Sequence, residues 1–185
     1  MKLIVAMTGA TGSILGIRLL EALKEAHVET HLVMSEWAEK TMLIETPYHP
    51  DDVKRLASYV YESSNQAARI SSGSFRVDGM IISPCSMKTL AAIRIGFADN
   101  LISRAADVIL KERKKLVILP RELPLNSIHL ENMLSLSNAG AVILPPMLTF
   151  YNKPATLDDA INHIVARTMD QFEIANDLTK RWLSR

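Results

Sequence analysis

Five times along this chain a short apolar-rich run stops at a threonine, serine or proline, and helical spacing resumes after it. The runs are Leu3 to Met7, Val28 to Met34, Gly79 to Ile82, Leu116 to Leu119 and Ala141 to Leu144. Runs this short and this apolar fit strands buried on both faces. The first gives way to Thr8-Gly9-Ala10-Thr11-Gly12-Ser13 and then to a helix from Ile14 to Ala26. Ser35 stands where an N-cap would precede a helix from Trp37 to Ile44, and Asp51 is placed to cap one running to about Tyr61. The polar stretch Ser63 to Gly73 reads as a loop with one helical turn. Met87 to Ile95 is expected to be helical, and Asp99 or Asn100 opens a longer helix to Lys114. Asn126 or Ser127 begins another through Leu136, and Thr156 caps a last one with Ile161, Ile164, Val165 and Met169 on its apolar face. Strands alternating with helices of this length predict a doubly wound, mainly parallel α/β sheet with helices on both faces.

At 185 residues, one domain spanning 1–185 is expected, with a core large enough to need no staples. Lys plus Arg is 21 against 20 for Asp plus Glu, a net charge of +1, too balanced for a chain that wraps nucleic acid. One cysteine, Cys85, excludes a disulfide framework and a cysteine-based zinc site. No apolar run is long enough to span a bilayer, and the first residues lack an export signal, so a cytoplasmic, reducing setting is expected.

Ligands of such sheets bind beyond the carboxyl ends of the strands. Gly9-Ala10-Thr11-Gly12 fills the first of those loops, where glycines let backbone approach a phosphate and a helix N-terminus favours an anion. The pattern is not G-x-G-x-x-G, and Met34-Ser35-Glu36 puts no acid directly at the second strand's tip, which argues against NAD. Ser83-Pro84-Cys85-Ser86-Met87-Lys88-Thr89 is a second hydroxyl-rich helix opening. Cys85 reads as inert packing, since no base stands beside it in sequence. Arg104 and Lys111 lie seven apart on one helix with Asp107 between them, the pattern of a salt-bridged surface. Arg121-Glu122 follows a strand directly, Tyr151 lies in the loop after Pro145-Pro146, and Arg167 is expected to be buried between Val165 and Met169. The five histidines have no metal-ligand spacing, and the pairs Asp51-Asp52 and Asp158-Asp159 read as helix N-termini.

Taken together, Ala6-Met7-Thr8-Gly9-Ala10-Thr11-Gly12, Gly73 to Ile82, Pro84-Cys85-Ser86-Met87-Lys88-Thr89-Leu90, Asp99-Asn100-Leu101-Ile102, Arg104 to Val108, Leu110-Lys111-Glu112-Arg113, Pro120-Arg121-Glu122, His129 to Leu134 and Phe150-Tyr151 closely resemble the UbiX-like flavin prenyltransferases. That family was formerly labelled phenylacrylic or hydroxyarylic acid decarboxylases. The likeness runs in order over about residues 1 to 170.

The resemblance implies a Rossmann- or flavodoxin-like fold of flavoprotein type. It also implies transfer of a dimethylallyl group from dimethylallyl monophosphate to N5 and C6 of reduced FMN, without a metal. The product, prenylated FMN, would serve UbiD-like decarboxylases of aromatic or unsaturated acids, and the enzyme would assemble as a dodecamer with flavin at subunit interfaces. By position, Gly9, Ala10, Thr11, Ser35, Ser86, Met87, Lys88, Thr89 and Arg121 would hold FMN. Lys111, Tyr151, Arg167 and Arg104 would grip the allylic phosphate. Glu122 would act as acid and base, with Lys111 and Arg121 as its catalytic companions. Two rivals are a flavin enzyme that decarboxylates substrate directly and a non-catalytic flavin carrier. Cysteine decarboxylases of the same fold carry a Pro-Ala-Ser-Ala-Asn type third loop, whose asparagine this chain lacks. Pro145 to Thr149 is bulkier than the family's usual run, and Arg94 replaces a small residue.

Overall fold

Strand β1 (Lys2–Met7) divides its side chains between two cores: Leu3, Val5 and Met7 enter one, Ile4 and Ala6 the other. Successive residues of a strand face opposite ways, so a run apolar on both sides needs cover on both. The computed structural model, which describes residues 1–183, shows that cover. On one face, helix α1 (Ser13–Glu25) packs against α7 (Leu157–Asp170), and α2 (Glu36–Glu45) adds Ala38 and Met42. On the other lie α4 (Met87–Arg94), α5 (Leu101–Lys111) and α6 (Ser127–Asn138).

The remaining strands are β2 (Glu29–Met34), β3 (Tyr59–Glu62), β4 (Gly79–Cys85), β5 (Lys115–Pro120) and β6 (Val142–Ile143). All pairings are parallel, in the order β3-β2-β1-β4-β5-β6. This is a Rossmann-type doubly wound sheet, whose order reverses between β1 and β4. Register sets Met7 beside Met34, Ala6 beside Ile82 and Cys85 beside Pro120. The carboxyl tips therefore line one edge.

Helix starts follow local chemistry. Ser35, Asn100, Asn126 and Thr156 each accept a hydrogen bond from a backbone N–H of the first turn they precede. Asp51 and Asp52, and Asp158 and Asp159, do occupy first turns. Two expectations fail. No helix runs from Asp51 to Tyr61: His49 caps the short α3 (Pro50–Lys54), and Tyr59-Val60-Tyr61-Glu62 forms edge strand β3. Aromatic and β-branched side chains favour that pleated edge, and the sheet has six strands rather than five. Helix α5 also stops at Lys111, not Lys114, because Arg113 turns into the left-handed region at φ 56°. Among the described residues no helix is long and apolar enough to cross a membrane.

Candidate active site

The crevice between β1 and β4 is where this topology puts ligands. Its two walls are clasped by one side chain. Thr8, 2% exposed, donates its hydroxyl to the Pro84 carbonyl at 2.8 Å and accepts the Ser86 N–H at 2.8 Å. Backbone bonds extend the seam along the edge: Thr8 N–H to Pro84 O, Ser35 N–H to Met7 O, and Arg121 N–H to Cys85 O at 3.0 Å. The loops carrying Gly9, Ala10, Thr11, Ser35, Ser86 and Arg121 are thereby fixed relative to one another. Gly9 is needed for that closeness, since a Cβ there would stand 2.5 Å from Trp37 Cβ.

Sequence reasoning expected the first loop to offer its donors to an anion. The structure spends them internally: the Gly12 N–H and Thr11 hydroxyl both donate to Glu45 Oε2, at 2.7 and 3.3 Å. Glu45 ends α2, 33 residues away from Gly12, so no local motif points to it. The start of α4 is different. Ser86 caps it, accepting from Thr89 N–H and donating to the Thr89 hydroxyl. The N–H groups of Met87 and Lys88 have no partner among the described residues, and the Lys88 side chain is exposed. A helix opening with free N–H groups, a lysine and the neighbouring Arg121 suits a phosphate. Two buried hydroxyls without partners among the described residues, Ser13 Oγ and Ser83 Oγ, stand on α1 and β4. This donor set fits a flavin nucleotide.

Cys85 is fully buried, and burial pushes its thiol above the usual range. It is packing, as expected, and not a nucleophile.

Tyr151 and Arg167 lie elsewhere, lining a cavity of about 350 Å³ beside β6, with Leu144, Pro145, Met147, His163 and Ile164 among its walls. Arg167 is exposed rather than buried, and pairs with Asp170 at 2.9 Å. Ile164, Val165 and Thr168 face inward on α7, and residue 167 falls off that stripe. The Tyr151 hydroxyl meets Nε2 of His163 at 3.4 Å. In the sequence that histidine has no metal-ligand spacing, and nothing there points to Tyr151. Burial, then the charges of Arg167 and Arg181, hold its pKa below the ordinary range, so it is neutral.

The other expected residues are on different sides of the subunit. Arg104 pairs with Asp107 at 2.6 Å and donates to Ser71 O, while Lys111 pairs with Glu112 at 2.5 Å and not with Asp107. Lys111 precedes β5, and Arg121 follows it. The six residues of that strand put about 20 Å between its two ends. Glu122 is exposed, and its carboxylate accepts the Leu123 N–H. One chain therefore brings together the crevice residues and, separately, Tyr151 with Arg167. It does not bring Lys111 or Arg104 to either.

A doubly wound sheet with hydroxyls and cations around its switch point defines a nucleotide-binding α/β protein, and the Flavoprotein family model matches residues 1–172. Within that class, the chain belongs to the UbiX-like flavin prenyltransferase family. It is 62% identical over 181 residues to a "Probable UbiX-like flavin prenyltransferase" of Bacillus subtilis (strain 168), covering 98% of this chain and 89% of the relative. It is also similar to the crystal structure of a dodecameric FMN-dependent UbiX-like decarboxylase from Escherichia coli O157:H7, with TM-score 0.97, 59% identity and full coverage of both chains. A third match is the crystal structure of AnUbiX (PadA1) in complex with FMN and dimethylallyl pyrophosphate. There the TM-score is 0.98 and identity 55%, over 100% of this chain and 98% of that one.

Proposed function

We propose that this protein is a flavin prenyltransferase, joining the dimethylallyl group of dimethylallyl monophosphate to N5 and C6 of reduced FMN, with residues 1–185 acting as one FMN-binding domain. Residues 184 and 185 lie outside the described ones. The observation that carries the reading is the pairing of a flavin-fitting crevice with a separate cavity holding a phenol and a guanidinium, in a chain 55% identical to a protein whose structure contains FMN and an allylic diphosphate. Reduced FMN, when bound, supplies the nucleophilic N5 and C6. The protein's part is to hold, orient and stabilise. Lys88, Arg121 and the α4 opening would take the flavin phosphate, with Gly9, Ala10, Thr11, Ser35, Ser86, Met87 and Thr89 around it. Tyr151 and Arg167, joined by Lys111 and Arg104, would stabilise the charge that grows on phosphate as the allylic C–O bond breaks. Glu122 would receive the proton lost from C6 and pass it to the departing phosphate.

Those groups lie at the strand tips, beside β6, and on the α5 face, so they can meet only between copies. Ile95, Phe97, Ile128, Leu134, Met147 and Phe150 are all more than half exposed, an apolar surface that a monomer would leave wet. We therefore assign a homo-oligomer, a dodecamer like the Escherichia coli relative, working in the cytoplasm and delivering its product to a UbiD-like decarboxylase. No nucleic-acid or membrane partner is proposed.

Incubating the protein with reduced FMN and dimethylallyl monophosphate, then weighing the extracted flavin, tests the reaction. A gain of one prenyl group is expected, and an unchanged flavin overturns the proposal in favour of a carrier. The decarboxylase wording attached to the Escherichia coli structure motivates a second assay. Ordinary FMN and an aromatic acid should release no carbon dioxide, and sustained release would favour direct decarboxylation.

A further inference from the structure

The side chains behind Tyr151 form a chain of hydrogen bonds with a readable direction. A carboxamide oxygen only accepts and its nitrogen only donates, which fixes the polarity at Asn152. Thr149 Oγ1 donates to Asn152 Oδ1 at 3.1 Å, and Asn152 Nδ2 donates to Thr179 Oγ1 at 3.5 Å. Thr179 Oγ1 then faces His163 Nδ1 at 2.9 Å, and among the described residues its proton has no other acceptor. Asn152 and His163 are both buried, 9% and 4% exposed, so a polar atom left unpaired there is costly.

His163 is neutral, for the reasons given above, and carries one ring proton. If Nδ1 accepts from Thr179, that proton is on Nε2, directed at the Tyr151 oxygen 3.4 Å away. The phenol then receives a hydrogen bond from behind, and its own proton is left for the cavity it shares with Arg167. The opposite tautomer would strand the Thr179 proton and pull the phenolic proton back onto Nε2, away from the cavity. The rings hold the arrangement: Tyr151 stands edge-on to His163 at 5.6 Å and to Trp182 at 5.3 Å.

We propose that His163 is a positioning residue whose Nε2–H, directed by Thr179 and Asn152, commits the Tyr151 phenol to donating its proton to an anionic oxygen in the cavity. This rests on the reading of that cavity as the allylic phosphate pocket. The C-terminal segment thus tunes the pocket through Thr179, without touching substrate.

Thr179→Val keeps shape and removes the directing hydroxyl, and with it the acceptor of Asn152 Nδ2. Its KM for dimethylallyl monophosphate should rise about tenfold, the loss of one hydrogen bond to a charged group. FMN affinity should hold, kcat should fall only by whatever part of that bond tightens as the C–O bond breaks, and Thr179→Ser should restore both kinetic constants. His163→Leu should match or exceed that rise, while His163→Gln, whose amide can donate from nearly the same place, should recover most of it. A Thr179→Val enzyme with unchanged KM overturns the proposal, as does equal loss in Leu and Gln variants. Solid-state 15N NMR of the full-length, histidine-labelled protein, with His163→Gln as the subtraction control, reads the tautomer without any turnover. Protonated Nε2 with bare Nδ1 is expected, and the reverse overturns the proposal whatever the reaction proves to be. Absence of prenylated flavin from wild-type enzyme would instead strike the functional reading.

Discussion

The crevice at the β1–β4 switch point and the cavity beside β6 are held together in opposite ways. The crevice is seamed by backbone bonds and by one buried threonine hydroxyl, none of which titrates near neutrality. The cavity depends on longer side-chain bonds through Asn152, Thr179 and His163, and on a C-terminal segment that packs over it. A flat, rigid ring needs a surface fixed beforehand, because any loosening there is an ordering cost on binding. A small allylic phosphate entering and a bare phosphate leaving need groups that can yield. On the function proposed above, the contrast makes one region a stiff half-site and the other a compliant one, and damage to each should be reported by different measurements.

The largest effect should come from a residue belonging to neither framework. Glu122→Gln removes an exposed carboxylate whose only hydrogen bond among the described residues comes from the adjacent Leu123 N–H. Ring closure should slow by about 10²–10⁴-fold, the usual worth of a positioned acid–base group. FMN binding and melting temperature should stay as they were. Normal yield of closed product would remove Glu122 from the chemistry.

Arg167→Ala tests the compliant side. A charge-assisted hydrogen bond contributes about 1.5–3 kcal/mol, so KM for dimethylallyl monophosphate should rise by roughly ten- to a hundredfold. Titrating FMN into the variant should give the wild-type affinity. Matching losses of both ligands would erase the distinction between the two regions.

Thr8→Val tests the stiff side. The shape is preserved, but the Pro84 carbonyl loses a donor and the Ser86 N–H loses its acceptor, both deep in the seam. Denaturant unfolding should show a loss of about 1–3 kcal/mol, and FMN affinity should fall with it. If stability drops while FMN affinity does not, the seam serves only the fold.

How these regions could be read beforehand differs as well. The crevice was legible because its parts are local: a strand, a break, and a hydroxyl one residue before the helix, as at Ser35 and Ser86. The cavity was not. Arg167 reads as buried from its neighbours Val165 and Met169, but helical geometry turns it outward. His163 has no spacing that announces a partner in Tyr151, 12 residues earlier in a loop. Glu45 at the first loop is equally silent, since its role arises from where α2 ends. Strand β3 was lost because Asp51 and Pro50 signal a helix start, while nothing nearby signals how soon α3 stops. Lys111 and Arg104 matched a motif, and only the fold shows that the motif's residues face different directions.

The smallest effect is with acid, and it separates the regions once more. His31 is fully buried, stacked on Tyr59 and bonded to Glu29 and Tyr61, and burial is the main cause that holds its pKa below the ordinary 6.5. His163 is depressed likewise, by burial and then by its two arginines. Well above pH 6.5 both are neutral in the folded and unfolded chain, and their contribution is complete. As pH falls below that, the unfolded chain takes up protons first, so stability declines until the depressed folded values are reached. Each histidine adds at most about 1.4 kcal/mol per pH unit to that slope. Unfolding measured between pH 7 and 5 should show the decline, and His163→Gln should make it shallower. In the wild type, exchange of amide hydrogens around Thr179, taken relative to the intrinsic rate at each pH, should quicken over the same range while the Ser86 and Arg121 amides stay protected. Equal quickening at both places would mean that acid opens the molecule as a whole, and that the compliant half is no softer than the seam.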